Sequence, residues 1–264
     1  MQLNKARVIV TGASSGIGRA IAVEFGRRGA RLALASRNRA ALEAVAVSIR
    51  AAGGTAVVIP TDVTAVGAVE KMAQDTIREL GGIDILVNNA GIGMQAPIAE
   101  ASSADVDSLF KLNVLAAAAA IRAVVPTMRA QGAGMVINIS SMAGRIVVPR
   151  IGYYSATKFA LTALGDALRM EEAHRGIRVM NVFPGTTRSR FGENRLGLRG
   201  QGAHQRLPPV SAEKVARKIA NAVEGNRRSV YVSWFPDRAG VAANWLAGWA
   251  ITAVLRRWAR HAET

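Results

Sequence analysis

The stretch YYSATK, residues 153 to 158, sets Tyr154 four residues before Lys158. On a helix that spacing projects both side chains from one face, whereas Tyr153, five residues before the lysine, points elsewhere. A free phenol with a pKa near ~10 is a poor proton exchanger at neutral pH. An ammonium beside it stabilises the phenolate and lowers that pKa, so such a pair suits proton transfer to or from a carbonyl oxygen. The competing reading is two surface aromatics on an ordinary helix, and the rest of the chain has to decide between them.

A second chemical pattern lies near the N-terminus. The apolar run ARVIV (6 to 10) leads into TGASSGIGRA, where Gly12, Gly16 and Gly18 open a helical stretch. A strand, a glycine turn and a helix N-terminus together let backbone N–H groups and the helix dipole receive a pyrophosphate. The spacing is G-x-x-x-G-x-G, and because any flexible turn uses glycine, the flanking strand and helix carry the reading. At the end of the second apolar run, RLALAS (31 to 36), a NAD-binding chain would carry Asp or Glu for the ribose hydroxyls. Here Ser36 is followed by Arg37, with Arg39 just beyond. A carboxylate repels a 2′-phosphate and a guanidinium accepts it through paired charged hydrogen bonds, so NADP(H) is favoured over NAD.

These residues need a scaffold, and the apolar patterning supplies one. Nearly continuous aliphatic runs recur at 6–10, 31–36, 56–60, 83–89, 134–140, 177–183 and 229–233, as expected of strands covered on both faces. Helical spacing fills 17–28, 39–52, 65–80, 104–130 and 155–175. The alternation predicts an α/β fold with a doubly wound, Rossmann-like parallel sheet. One catalytic domain is expected over residues 1–237, followed by an apolar C-terminal helix with a basic end over 238–264.

Composition narrows the classes. The 264 residues are half apolar, without low-complexity or repeated segments, so a substantial core can form. The chain contains no cysteine, which excludes disulfides and thiolate metal sites. The N-terminal run VIV is too short for a secretory signal, and cytoplasmic residence is expected. A net charge of +16 raises the question of nucleic acid, but the arginines are dispersed and aromatics make up only 5%. Few stacking platforms for bases are therefore available, and no nucleic-acid partner is expected.

With TGASSGIG, NNAG at 88–91, Asn113, YSATK and the PG pair at 184–185 in this order, the chain resembles the short-chain dehydrogenase/reductase family over roughly residues 5 to 190. The resemblance implies that Gly12, Ser14, Gly16, Ile17, Gly18, Arg37, Asp62, Val63 and Asn89 line the phosphate, ribose and adenine parts of NADP. It also implies that Tyr154 is the proton donor. Lys158 would lower the tyrosine pKa and hydrogen-bond the nicotinamide ribose, and Asn113 would hold a water linking that lysine to solvent. NISSMAG offers Ser140 and Ser141, and the family places its serine thirteen residues before the tyrosine, which selects Ser141. That serine would hold and polarise the substrate carbonyl. Beyond Pro184 and Gly185, the family's nicotinamide-contacting threonine is replaced by Ser189, with Thr187 a second candidate. A homo-oligomer, dimer or tetramer, is the implied assembly.

The resemblance implies an oxidoreductase that interconverts a small-molecule ketone or aldehyde and its alcohol. The lipophilic tail tilts the substrate toward an apolar molecule. The rivals are a 3-oxoacyl thioester reductase and a non-catalytic dinucleotide-sensing scaffold. Residues 190–209, polar and basic, stand where the family carries its substrate loop. The tail AGVAANWLAGWAITAVL (239–255), followed by RRWARH, suits either a helix lying in a membrane interface or a contact between subunits. Co-sedimentation separates these: an interfacial helix carries the intact chain down with anionic vesicles at low salt, while a chain ending near Arg238 stays in solution. Loss of oligomerisation on truncation, with no vesicle binding by the intact chain, identifies a subunit contact instead.

Overall fold

The aliphatic runs become strands because helices are available to cover both of their faces. In chain order the structure, a computed structural model describing residues 1–188, 190–192, 194–197 and 209–233, begins with β1 (Arg7–Thr11), α1 (Gly16–Arg27), β2 (Arg31–Ser36), α2 (Arg39–Ala51), β3 (Thr55–Pro60) and α3 (Ala68–Leu80). There follow β4 (Ile85–Asn88), β5 (Met94–Gln95), α4 (Ser103–Phe110), α5 (Ala116–Ala130), β6 (Gly134–Ile139), α6 (Gly152–Glu172) and β7 (Ile177–Pro184). Last come β8 (Thr187–Arg188), β9 (Leu196–Gly197), β10 (Val210–Ser211), α7 (Ala212–Glu224) and β11 (Ser229–Val232). The main sheet has the order β11-β7-β6-β4-β1-β2-β3, and every neighbouring pair is parallel. Strand order reverses between β1 and β4, and doubly wound sheets bind their ligands in the crevice at such a reversal.

Two apolar layers enclose the sheet. Val8, Val10 and Leu34 face one layer with Phe25 of α1, Ile49 of α2 and Ile219 of α7. Ile9, Ala33 and Val136 face the other with Met72 of α3 and Val124 and Met128 of α5. Successive strand residues thus serve opposite layers and neither face meets water, which is why the runs do not alternate in polarity.

The structure refines the expected elements. The helix predicted over 104–130 is interrupted by a π-turn, Lys111–Leu115, between α4 and α5. By length and composition Ser103–Ala130 would cross a membrane, yet Ala120, Ile121, Val124 and Met128 are packed against the sheet as a core helix. Helix α7 is additional: Ser211 Oγ caps it from Lys214 N at 3.2 Å, and Val215, Ile219 and Val223 recur at helical spacing as fully buried residues. Two short parallel ladders, β5 with β9 and β8 with β10, are also additional. The expected C-terminal helix and residues 198–208 of the expected substrate loop lie outside the described residues.

Below the sheet, α5 and α6 end together. Glu172, with its side chain 2% exposed, accepts from Arg129 Nε at 2.9 Å and from Arg129 Nη2, and Arg175 Nη1 approaches at 3.2 Å. The Arg129 hydrogen bonds hold the Glu172 carboxyl down to about 2, from an ordinary 4.5. Because the folded-state pKa is depressed, the stabilisation is complete above pH 4.5 and is lost as pH falls toward 2. Glu172→Gln should therefore lower the melting temperature at neutral pH by roughly 2–4 °C. Thermal melts at successively lower pH should show the gap to wild type closing through that window.

Candidate active site

At the reversal point the glycine turn is fastened to the end of β4. Gly12 has a left-handed φ of +64°, and a Cβ there would sit 2.8 Å from Asn89 Nδ2, so the turn tolerates no larger residue. Asn89 Nδ2 donates to Thr11 O at 2.9 Å and Gly12 O at 3.2 Å. The backbone N–H groups of Asn89 and Ala90 donate to Thr11 Oγ1 at 3.0 and 3.1 Å, and Thr11 Oγ1 donates to Val87 O at 3.1 Å. Ser14 precedes the start of α1, where Gly16, Ile17 and Gly18 form the first turn. The Ser15 side chain caps none of the first N–H groups, which leaves them for an anion in the crevice.

Arg37 stands exposed at the end of β2. Asp62, just beyond β3, accepts from Thr64 N at 2.9 Å and Thr64 Oγ1 at 2.7 Å. Those bonds, with the nearby charges of Arg37 and Lys111, hold its carboxyl below the usual range. Val63 lines a small cavity with Thr11, Asn88, Ala90 and Leu112.

The other half of the site is built on the first turns of α6. Tyr154 and Lys158 share one face, with Lys158 Nζ 5.7 Å from the centre of the Tyr154 ring. The Ser141 hydroxyl lies beside the Tyr154 phenol and accepts from Ala143 N at 3.1 Å as it caps the turn Met142–Gly144. Burial pushes the Tyr154 phenol up to about 12, and the Ser141 hydroxyl opposes that rise. Burial also brings Lys158 down to about 8. Lys158 Nζ donates to Ile139 O at 3.0 Å.

Asn113 sits in the π-turn and is 1% exposed. Its Oδ1 accepts from Ile92 N at 2.8 Å, and its Nδ2 donates to Ile92 O at 2.9 Å and Thr157 Oγ1 at 3.1 Å. Thr157 Oγ1 donates onward to Tyr154 O at 2.7 Å. Both Nδ2 protons of Asn113 are committed, which leaves one lone pair of Oδ1 for a water. Tyr153 is directed away from Lys158 and donates from its hydroxyl to Ile98 O at 3.3 Å. Ser140 points into the α6 contact, not the crevice, and its Oγ lies 3.0 Å from Lys158 O.

Pro184 closes β7, Gly185 N donates to Val232 O at 2.9 Å, and Thr187 Oγ1 donates to Gly185 O at 3.0 Å. Ser189 lies outside the described residues. Thr11, Thr157 and Phe191 are present at the site without having been singled out in the sequence. Thr157 lies inside the YYSATK motif and could have been found there. Phe191, whose ring centre is 5.9 Å from that of Tyr154, is a lone aromatic in a polar segment and carries no sequence signal.

Residues 6–196 match the short chain dehydrogenase family. The glycine betaine reductase ATRR of Emericella nidulans is 41% identical over 179 residues, which make up 68% of this chain but 14% of that protein. The ketoacyl reductase HetN of Nostoc sp. is 32% identical over 230 residues, 87% of this chain and 79% of the relative. The crystal structure of a short chain dehydrogenase/reductase from Burkholderia phymatum in complex with NAD superposes with a TM-score of 0.81 at 25% identity, covering 97% of this chain and 93% of that one. A parallel doubly wound sheet, a glycine turn at its reversal point and a Ser, Tyr and Lys constellation beside it thus coincide with a match over most of the chain, which belongs to the short chain dehydrogenase family of oxidoreductases.

Proposed function

We propose that this chain is an NADP(H)-dependent oxidoreductase interconverting a ketone or aldehyde and the corresponding alcohol, with a lipophilic substrate. The observation that carries the reading is Tyr154 and Lys158 on one face of α6, with Lys158 Nζ 5.7 Å from the phenol ring centre and the Ser141 hydroxyl beside the phenol. A dinucleotide fits the residues present, since the Gly12 cradle would be filled by a Cβ and the start of α1 has no side-chain cap. Gly12, Ser14, Gly16, Ile17 and Gly18 would hold the pyrophosphate, and Asp62, Val63 and Asn89 the adenosine. Arg37 would hold a 2′-phosphate, and Pro184, Gly185 and Thr187 would flank the nicotinamide. When bound, the cofactor supplies a hydride to the carbonyl carbon or accepts one from the alcohol.

In the reducing direction Tyr154, with its pKa pushed up to about 12, holds its proton at neutral pH. It passes that proton from Oη to the carbonyl oxygen as negative charge develops there. Ser141 Oγ, already placed at the phenol, donates a hydrogen bond to the same oxygen. Lys158, with its pKa near about 8, is mostly charged at neutral pH and favours the phenolate left behind. Support for a lipophilic substrate comes from the apolar wall beside Tyr154, formed by Met94 and Leu109 with Ile92, Tyr153 and Leu196 against them and Phe191 over the tyrosine ring. The likeness to a protein named a ketoacyl reductase over 87% of this chain supports a second reading, a 3-oxoacyl thioester reductase.

NADPH consumption should be followed with medium-chain methyl ketones, a steroid ketone and 3-oxoacyl N-acetylcysteamine thioesters. Faster turnover of the ketones supports the first reading, faster turnover of the thioesters the second, and no turnover of any compound refutes both. Tyr154→Phe should lower turnover by about 10²–10⁴-fold while NADPH still binds, and Tyr153→Phe should stay within a few-fold of wild type. NADPH should bind at least about tenfold more tightly than NADH, equivalent to roughly 1.4 kcal/mol, and Arg37→Asp should reverse that order. Equal affinities in the wild type, read by fluorescence titration, would make Arg37 an ordinary surface residue.

A further inference from the structure

We infer that Ser140 and Thr162 are positioning residues for Lys158, pinning its backbone carbonyl to the end of β6 while its side chain reaches back to the last residue of the same strand. The inference rests on the proposed partnership of Lys158 with Tyr154.

Lys158 is held at two points. Its Nζ donates to Ile139 O at 3.0 Å. Its carbonyl oxygen lies 3.0 Å from Ser140 Oγ and 2.8 Å from Thr162 Oγ1, and the two hydroxyls are 3.0 Å apart. Two hydroxyl protons therefore serve a triangle of three buried oxygens, Ser140 and Thr162 being 3% and 4% exposed. A helical carbonyl already accepts the N–H four residues on, so hydroxyl donation to Lys158 O is additional and does not come from helix propagation. Ile139 and Ser140 are consecutive, and Ser141 follows them. The same grip therefore sets the height of Lys158 and Tyr154 on α6 relative to Ser141 on the loop after β6.

Thr162 is itself held from the sheet. Asn88, Asn138 and Asn181 stand in register on β4, β6 and β7. Asn88 Nδ2 donates to Asn138 Oδ1 at 3.1 Å and Asn138 Nδ2 to Asn181 Oδ1 at 3.2 Å. Asn181 Nδ2 donates to Thr162 O at 3.2 Å. Helix α6 comes close enough for these bonds because residue 165 is glycine, where a Cβ would lie 2.6 Å from Asn138 Nδ2. The buried amide row thus ends on the residue whose hydroxyl meets Lys158 O.

The test compares Thr162→Val, which keeps the shape and removes the hydroxyl, with Thr162→Ser, which keeps the hydroxyl. Both are assayed with NADPH and the fastest carbonyl compound of the panel above. The expected result is a fall in kcat of about tenfold for Thr162→Val, the scale of one well-formed hydrogen bond acting through geometry, with KM for the carbonyl within about twofold. Thr162→Ser should return kcat to within about twofold of wild type. Ser140→Ala should lower kcat in the same way and supplies the readout if Thr162→Val does not fold. The inference is overturned if kcat is unchanged in Thr162→Val and Ser140→Ala, if only KM moves, or if Thr162→Ser loses as much as Thr162→Val. Lys158→Met separates the two levels. Retained turnover in that variant refutes the proposed role of Lys158 itself, whereas its collapse beside an active Thr162→Val refutes only the positioning pair.

Discussion

Burying an ammonium group is the constraint on which the site depends. Removing such a charge from water costs several kcal/mol unless fixed acceptors replace the lost solvation, and Lys158 is 4% exposed. Its acceptor is the carbonyl of Ile139, the last residue of β6, so helix and strand end must keep a fixed separation. The same burial acts in opposite senses on the two groups of the pair. It disfavours the charged form of each, lifting the phenol to about 12 and bringing the ammonium down to about 8. The proton therefore stays on oxygen, and the positive charge beside it is present but readily titrated.

Several arginines find a mechanical use. Arg7 donates from Nε to Asp84 Oδ2 at 2.8 Å and from Nη1 to Gly81 O at 2.7 Å, joining β1 to the loop before β4. Arg28 reaches Glu24 at 2.8 Å and Glu224 at 2.7 Å, joining α1 to α7. With Arg129 on Glu172, these pairs fasten segments that are distant in the chain.

The sheet was legible because its signal is local. Each of the seven apolar runs became a strand within a residue or two of its expected limits, since burial on both faces leaves a continuous imprint on the sequence. The shared face of Tyr154 and Lys158 was legible for the same reason, helical spacing being a local property. Helix α7 was equally readable from Ser211, Val215, Ile219 and Val223, although no expectation was drawn from them. The remaining features depend on contacts that no local pattern encodes. Asn113 meets Thr157 across 44 residues, Thr11 meets Asn89 across 78, and Phe191 reaches Tyr154 from a segment whose composition is polar. The height of Lys158 against Ser141 is likewise set by Ser140, Thr162 and the amide row, residues whose types look unremarkable until the strands are in register.

The π-turn at Lys111–Leu115 has a consequence for how the chain can change in length. A π-turn amounts to one extra residue in an α-helix, wound in so that the helix on either side keeps the phase it would have without it. Leu109 upstream and Ala120, Ile121, Val124 and Met128 downstream are thereby all buried, although five residues of wider winding separate the two stretches. The bulge is therefore a phase adjuster between two stretches of helix that answer to different neighbours, and Asn113 occupies the position where the mismatch is absorbed. Loss of one residue at the turn would leave both apolar faces in place and displace Asn113, so the length of this helix is tied to the position of that side chain and not to the packing of the core.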